Sequence, residues 1–166
     1  RDKDNAEQFQ KQYGAEKAYG SYKELLEDAA VDAVYICTPN SLHYEQIQLC
    51  LSCGKHVVCE KPMVANSEQV KELFAQARKV GCFLMEAEKT MFTPLNVKLK
   101  EMIERGVIGK LCAIRAEYSY QVLEEVDEDH WVLDKNMGGS AYDIGVYPIS
   151  FSHYFANSKI ENLIVK

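Results

Sequence analysis

Three side chains of this sequence are of types that move a proton to or from a hydroxyl group. Lys61 follows an apolar run and precedes Pro62, and a cation there can hydrogen-bond a substrate hydroxyl and stabilise a developing alkoxide. Tyr147 carries a phenol, which can exchange a proton with a substrate oxygen when a cation lies nearby. Asp143 stands four residues before Tyr147, so one helix would present both on the same face. From the residues alone, the alternative is that none of them takes part in chemistry: Lys61 and Asp143 are solvated, and Tyr147 is packed half-buried on its helix.

A second group of polar residues follows two apolar runs and predicts a binding site. The residues after the run at 31–37 are Thr38, Pro39, Asn40 and His43, and the residue after the run at 56–59 is Glu60. In open α/β sheets, ligands bind at the carboxyl ends of the strands. The alternatives are ordinary turn chemistry, with Asn40 or Ser41 capping the next helix, and a plain surface acid at position 60.

The elements that must position these residues alternate between helices and short apolar strands. Helices are predicted over residues 4–13, 22–28, 42–53, 67–80 and 94–105, and strands over 31–37, 56–59 and 82–86. The first strand is nearly all apolar, which is typical of a strand buried on both faces. This alternation favours parallel β/α units in a doubly wound sheet.

The pattern changes near residue 110. Residues 111–120 alternate only partly and predict an antiparallel strand with one covered face. Residues 140–155 predict an apolar helix that Pro148 kinks or restarts, and residues 160–165 predict the start of another strand. We therefore expect two domains, over residues 1–92 and 93–166.

Composition argues against several classes of protein. The 166 residues are 47% hydrophobic and 27% charged, which is typical of a globular chain of about one domain. The net charge of −6 argues against a nucleic-acid binder and against docking to an anionic membrane. We expect no membrane span and no signal peptide, because the apolar runs are short.

The cysteines and histidines predict no metal site. Cys50 and Cys53 form a C-x-x-C pair, but it lies at the end of a helical pattern, where thiolates are not stabilised. The sequence has no second such pair, and His130 and His153 lack partners at metal-ligand spacing. We expect structural thiols, structural histidines and a reducing, cytoplasmic compartment.

Three stretches in this order carry a family resemblance. They are V-D-A-V-Y-I-C-T-P-N-S-L-H at residues 31–43, K-H-V-V-C-E-K-P at 55–62 and G-G-S-A-Y-D-I-G-V-Y-P at 138–148. Together they resemble the glucose–fructose oxidoreductase / inositol dehydrogenase (Gfo/Idh/MocA) family. The D-x-x-x-Y spacing is similar to the branch of glucose–fructose oxidoreductase and dimeric dihydrodiol dehydrogenase. The resemblance implies part of a Rossmann-type parallel sheet, followed by the start of an α/β substrate domain with an open, largely antiparallel sheet.

The resemblance also implies an activity and its residues. Family members transfer a hydride between NAD or NADP and a secondary alcohol or carbonyl, here of a sugar, polyol or cyclic diol. Lys61 and Tyr147 would handle the hydroxyl proton, and Asp143 would orient them. Trp131 has two alternative roles. Its ring would cover the nicotinamide or the substrate, or it would fill the base of the substrate sheet. The expected cofactor-binding residues are Thr38, Pro39, Asn40, His43, Glu60, Lys61, Trp131 and Arg1, of which Arg1 would read a 2′-phosphate and favour NADP.

One family element is absent from the sequence. Family members carry a G-x-G-x-x-G turn that holds the cofactor pyrophosphate, and these 166 residues contain none. We therefore interpret the chain as an internal fragment of a larger enzyme that forms homo-oligomers through its C-terminal sheet. The alternatives are a cofactor-sensing regulator of the same fold and an inactive structural fragment.

Overall fold

The computed structural model of the protein describes residues 2–121, 124, 126–127, 130–135, 138–156 and 158–164. Arg1, which we predicted to contact a cofactor phosphate, lies outside the described residues. The chain forms two compact units, Arg1–Met85 and Glu86–Lys166. No helix of the described residues combines the length and the apolar character needed to cross a bilayer.

The first unit alternates helices and strands as the sequence predicts. Its helices are α1 (Lys3–Tyr13), α2 (Tyr22–Glu27), α3 (His43–Ser52) and α4 (Ser67–Val80), and its strands are β1 (Ala33–Ile36) and β2 (His56–Cys59). A third strand, β3 (Leu84–Glu86), completes a sheet of order β1-β2-β3. Strands β1 and β2 pair in parallel, with Ala33 opposite His56 and Ile36 opposite Cys59. The predicted parallel β/α arrangement is therefore confirmed.

Local side-chain chemistry sets the helix ends of this unit. The Ser21 hydroxyl accepts a hydrogen bond from the Glu24 N–H at 3.2 Å and opens α2. The Asn66 side chain accepts from the Gln69 N–H at 3.0 Å and opens α4, which ends at Gly81 in the left-handed region with φ 71°. Such caps satisfy backbone groups that have no partner inside the helix.

The core of the first unit packs α3 and α4 against the sheet. Ile47 and Leu51 of α3, Val57 and Cys59 of β2 and Leu73 of α4 are all fully buried. The prediction that the first strand is buried on both faces is wrong, because Tyr35 is 55% exposed. Strand β1 is an edge strand of the described sheet, and the described residues do not cover the face that carries Tyr35.

The regular secondary structure described for residues 87–164 of the second unit is all helical. It contains a 3₁₀ turn (Lys89–Phe92), α5 (Pro94–Glu104), a further 3₁₀ turn (Trp131–Leu133), α6 (Gly139–Asp143) and α7 (Val146–Ala156). Helix α5 begins as predicted, with Pro94 in its first turn and the Thr93 hydroxyl accepting from the Asn96 N–H at 3.4 Å.

The two strands predicted for this unit do not form in the described residues. Residues 111–120 and 160–164 have no regular secondary structure, so these two predictions are wrong. A strand needs a neighbouring backbone to complete its ladder of hydrogen bonds, and no described segment pairs with either stretch. The side chains of Ile160, Leu163 and Ile164 are accordingly 68%, 80% and 83% exposed.

The single helix predicted over residues 140–155 is two helices. The chain leaves α6 at Ile144 and Gly145 and starts α7 at Val146. Pro148 has no N–H to donate to the carbonyl of Ile144, and its ring opposes a continuous helix there. The Tyr147 N–H instead reaches the Ile144 oxygen at 3.1 Å. The prediction that Asp143 and Tyr147 share one helix face is therefore wrong.

Candidate functional site

Two polar loops meet at the carboxyl edge of the sheet. Strands β1 and β2 run in parallel and end opposite each other, and the Glu60 N–H extends the ladder by donating to the Ile36 oxygen at 2.8 Å. The loops that follow them, residues 38–40 and 60–62, therefore start side by side. The sequence pattern predicted a site in this position, and the structure brings the two segments together.

His43 lies beneath these loops, in the first turn of α3, and touches both of them. Its side chain is fully buried. Its Nε2 atom lies 2.8 Å from the Thr38 carbonyl oxygen, and its Nδ1 atom lies 3.0 Å from the Pro62 carbonyl oxygen. Because carbonyl oxygens only accept hydrogen bonds, the ring donates to one loop or, when both nitrogens carry a proton, to both. In this geometry His43 links the loops from inside the protein.

The loop after β1 is held by its own polar groups. The Thr38 hydroxyl donates to Gln46 Oε1 at 2.7 Å, and the Leu42 N–H donates to the Pro39 oxygen at 2.9 Å. Asn40 is buried, whereas Pro39 is exposed. The N-cap residue of α3 is Leu42, whose side chain makes no capping hydrogen bond.

The loop after β2 places an acid and a base next to each other. Both Glu60 and Lys61 are half-buried, and the peptide between Lys61 and Pro62 is cis. The Tyr35 hydroxyl donates a hydrogen bond to Glu60 Oε1, and the Lys61 N–H donates to Glu60 Oε2 at 3.2 Å. This hydrogen bond to Glu60, with burial and the negative charge of the carboxylate, raises the pKa of Tyr35 to about 12.

The sequence reasoning did not single out Tyr35. Its hydroxyl reaches a residue 25 positions later, and only the pairing of β1 with β2 brings the two together. The available signal was weak: a tyrosine on a strand that ends beside the strand before Glu60.

In the second unit, Asp143 closes α6 and lines a cavity of about 410 Å³. The other polar or aromatic residues of that cavity are Tyr120, Gln121, Glu124 and Ser140, and its apolar lining includes Val132, Leu133 and Ile144. A carboxylate, an amide and hydroxyls together can donate to and accept from a hydroxylated ligand.

Tyr147 lies in the first turn of α7 among aromatic and cationic groups. Its ring stacks on Tyr118, with centroids 5.3 Å apart. The Lys89 ammonium nitrogen lies 5.7 Å from the Tyr147 ring centroid, within the range of a cation–π contact. Sequence reasoning missed both Tyr118 and Lys89, because their contacts with Tyr147 join positions far apart in the chain.

Trp131 opens a 3₁₀ turn and is 37% exposed. Its ring centroid lies 5.6 Å from that of His130. The His130 Nδ1 atom accepts a hydrogen bond from the Val132 N–H at 3.3 Å, which gives His130 the structural role that the sequence predicted.

The six cysteines of this chain are all free thiols. Burial raises the pKa of the Cys50 thiol to about 11, so this side chain is a neutral thiol near pH 7. Among the described residues, no group of three histidine, cysteine, aspartate or glutamate side chains is arranged to hold a metal ion.

Two family models match the sequence. A model described as "Oxidoreductase family, NAD-binding Rossmann fold" matches residues 1–88, and one described as "GFO/IDH/MocA C-terminal domain" matches residues 96–166.

Curated proteins similar to this chain include trans-1,2-dihydrobenzene-1,2-diol dehydrogenases. The protein from Mus musculus is 39% identical over 164 residues, which are 98% of this chain and 48% of the relative. The protein from Oryctolagus cuniculus is 40% identical over 167 residues, covering 98% of this chain and 49% of the relative. The chain therefore spans about half the length of these relatives.

Solved structures of oxidoreductases have a similar fold. An NAD-binding oxidoreductase from Klebsiella pneumoniae superposes with a TM-score of 0.82 at 35% identity, covering 93% of this chain and 42% of that one. A 3-ketoreductase from Actinomadura kijaniata, in complex with NADP and TDP-benzene, gives a TM-score of 0.72 at 33% identity, covering 93% and 46%. The chain thus has a Rossmann-like α/β fold with a parallel sheet.

Proposed function

Because this chain belongs to the GFO/IDH/MocA family of oxidoreductases, we propose that the protein transfers a hydride between a nicotinamide cofactor and a secondary alcohol or carbonyl. One observation carries this proposal. The loops at residues 38–40 and 60–62 present polar and charged groups side by side at the carboxyl edge of a parallel sheet, which is where such folds bind nucleotides.

The residues of these loops fit the ribose and nicotinamide part of the cofactor. The Glu60 carboxylate suits ribose hydroxyls, and Thr38, Pro39 and Asn40 shape the neighbouring wall. His43 supports this wall from inside, and Trp131 and Arg1 complete the proposed set. The 166 residues contain no glycine-rich pyrophosphate turn. We favour NADP over NAD, and complexes of a similar 3-ketoreductase with NADP support this choice.

The chain's own residues then handle the proton of the substrate hydroxyl. When bound, the nicotinamide ring accepts or delivers the hydride. In this proposal, the Lys61 ammonium hydrogen-bonds the substrate oxygen and stabilises its developing negative charge. The Tyr147 hydroxyl exchanges the proton with that oxygen, and Asp143 orients these groups. Lys89 and Tyr118, which belong to the same unit as Tyr147, contact its ring and hold it in place.

The substrate class we propose is a sugar, a polyol or a cyclic diol. The cavity beside Asp143 supports it, because it combines an apolar wall with the hydrogen-bonding groups of Gln121, Glu124 and Ser140. A hydroxylated ring presents apolar faces and polar edges of the same kind. Similar curated proteins carry the name of a cyclic diol dehydrogenase.

We also propose a domain assignment, an oligomeric state and a cellular location for the protein. Residues 1–92 form part of the dinucleotide-binding domain, and residues 93–166 form part of the substrate domain. The exposed apolar side chains of Ile160, Leu163 and Ile164 support assembly into a homo-oligomer, such as a dimer, through the second domain. The free cysteines favour a cytoplasmic location.

The substitution Lys61→Ala in the full-length protein tests the activity. We expect turnover on a panel of sugars, polyols and cyclic diols to fall about 100-fold or more, with a smaller change in NADPH affinity. The matched control is Lys98→Ala, which removes an exposed lysine paired with Glu101 at 2.9 Å and should leave turnover unchanged.

The outcomes separate the candidate functions. Near-normal turnover by Lys61→Ala would exclude Lys61 from the chemistry. Tight cofactor binding by the wild-type protein without turnover of any panel member would instead indicate a cofactor-sensing regulator. Absence of both binding and turnover would contradict the enzymatic proposal as a whole.

A further inference from the structure

The Glu60 carboxylate is held by hydrogen bonds at both of its oxygens. Tyr35 donates to Oε1 from the neighbouring strand, and the Lys61 backbone donates to Oε2. A carboxylate held at both oxygens has its plane fixed, whereas a carboxylate on a free glutamate side chain samples several rotamers. The Tyr35 bond therefore selects one orientation of Glu60.

The register of the sheet brings the side chain of Tyr35 to the end of the neighbouring strand. Tyr35 lies one residue before Ile36, and Ile36 is paired with Cys59, the residue before Glu60. The contact that defines its side chain is the one with Glu60, and the raised pKa of Tyr35 has that hydrogen bond as its main cause.

We propose that Tyr35 is a positioning residue that holds the Glu60 carboxylate in the orientation that binds the ribose of the nicotinamide cofactor. The inference rests on the proposed function, since it assigns Glu60 to the cofactor. Tyr35 itself acts through Glu60. A donor on one carboxylate oxygen leaves the remaining lone pairs of the carboxylate available to ribose hydroxyls.

The chain offers a matched control for this pair. Tyr44 of α3 donates its hydroxyl to Glu72 Oε2, and this bond also raises the pKa of the phenol. Both pairs thus join a tyrosine to a glutamate from another element. The Tyr44 pair links α3 to α4, outside the two loops at the edge of the sheet.

The test is a comparison of Tyr35→Phe and Tyr44→Phe in the full-length protein. Each variant removes one hydroxyl and keeps the ring, so each should fold. We expect Tyr35→Phe to raise the dissociation constant for NADPH, measured by fluorescence titration, about fivefold or more. Tyr44→Phe should leave this constant within about twofold, within the range of a neutral surface change.

A double-mutant cycle with Glu60→Gln distinguishes positioning from a merely structural effect. If Tyr35 acts through the carboxylate, Tyr35→Phe should add little to the loss already caused by Glu60→Gln, so the two effects are not additive. Fully additive losses would overturn the proposal, and so would an unchanged dissociation constant for Tyr35→Phe.

The failure of the proposed function gives a different result. If the wild-type full-length protein binds neither NADPH nor NADH, the cofactor assignment fails, and the role of Tyr35 falls with it. If the wild-type protein binds and Tyr35→Phe binds equally well, only the role of Tyr35 is overturned.

Discussion

The two groups of candidate residues are supported in different ways. In the first unit, the loops at residues 38–40 and 60–62 rest on a sheet with a fully buried layer of apolar side chains, and His43 joins them from inside that layer. In the second unit, Tyr147 is held by a half-exposed tyrosine and an exposed lysine. The apolar residues buried in the described part of this unit are Val132 and Phe155.

This difference indicates how each group responds to change. Replacing the buried His43 affects both loops at once, because neither water nor another side chain can take over its hydrogen bonding there. Aromatic and cation–π contacts near the surface contribute less and are partly replaced by solvent. Substitutions around His43 should therefore have the larger effects, and those in the second unit should stay local.

The largest effect is expected for His43→Leu in the full-length protein. The substitution removes the imidazole nitrogens that lie within hydrogen-bond distance of the Thr38 and Pro62 carbonyl oxygens, so we expect a loss of about 2 to 4 kcal/mol in the free energy of unfolding. NADPH binding should weaken as well, because both loops shift. Urea unfolding and fluorescence titration measure the two effects.

The control for this prediction lies one turn further along α3. Ile47 is equally buried but does not contact the loops through hydrogen bonds, so Ile47→Val should cost about 1 kcal/mol and leave NADPH binding intact. Equal effects of the two variants on cofactor affinity would show that His43 contributes only core packing.

A smaller and more local effect is expected for Gly145→Ala, between α6 and α7. A Cβ atom at this position would lie 2.7 Å from the Ala141 oxygen and 3.0 Å from the Ala141 Cα, so the backbone must shift. We expect a loss of about 1 to 3 kcal/mol in the free energy of unfolding. Turnover should fall while NADPH affinity stays the same, because Asp143 and Tyr147 flank this break. A variant with wild-type stability would contradict the close contact.

The smallest effect is expected for Asp28→Asn, at the surface of the first unit. The pKa of Asp28 is held well below its usual range, chiefly because Lys17 donates a hydrogen bond, aided by the Ala30 N–H and the Tyr19 hydroxyl. Since the folded-state pKa is lowered, the stabilisation is present above the unfolded value of 3.8 and is lost as the pH falls further.

A melting-temperature series over pH measures this contribution. At pH 7, Asp28→Asn should melt below the wild-type protein, and the gap should close as the pH falls from about 4 towards the folded-state pKa. Added salt should also narrow the gap at pH 7, because the Lys17 side chain is 54% exposed and the pair is screened. A gap that persists unchanged at low pH would exclude the carboxylate as its cause.

The fold of the first unit could be predicted because its signals are local. Ser21, Asn66 and Gly81 mark helix ends through contacts within a few residues of themselves. The apolar runs at 31–37 and 56–59 have the length of strands, and the helix predicted between them can form the crossover that two parallel strands need. The same reasoning placed the polar loops at one edge of the sheet, where the structure has them.

Other features depend on contacts between distant positions and could not be predicted in this way. The alternation at residues 111–120 predicts a strand, but a strand forms only when another backbone lies beside it. The spacing of Asp143 and Tyr147 fits one helix face, yet Pro148 and Gly145 divide that helix. Each of these patterns is present in the sequence, but the element it predicts forms only if the surrounding segments of the folded chain allow it.

By itself, the sequence therefore determined the parallel β/α architecture, the helix ends marked by Ser21, Asn66 and Gly81, and the position of the polar loops at one edge of the sheet. The tertiary structure alone decided that His43 is fully buried between two carbonyls, that Tyr35 reaches Glu60, and that Lys89 and Tyr118 surround the Tyr147 ring. The physical reason is the sequence separation between the residues that interact. Caps and strand runs are fixed by backbone chemistry within a few residues, whereas these contacts require the folded chain to bring distant side chains within a few ångströms.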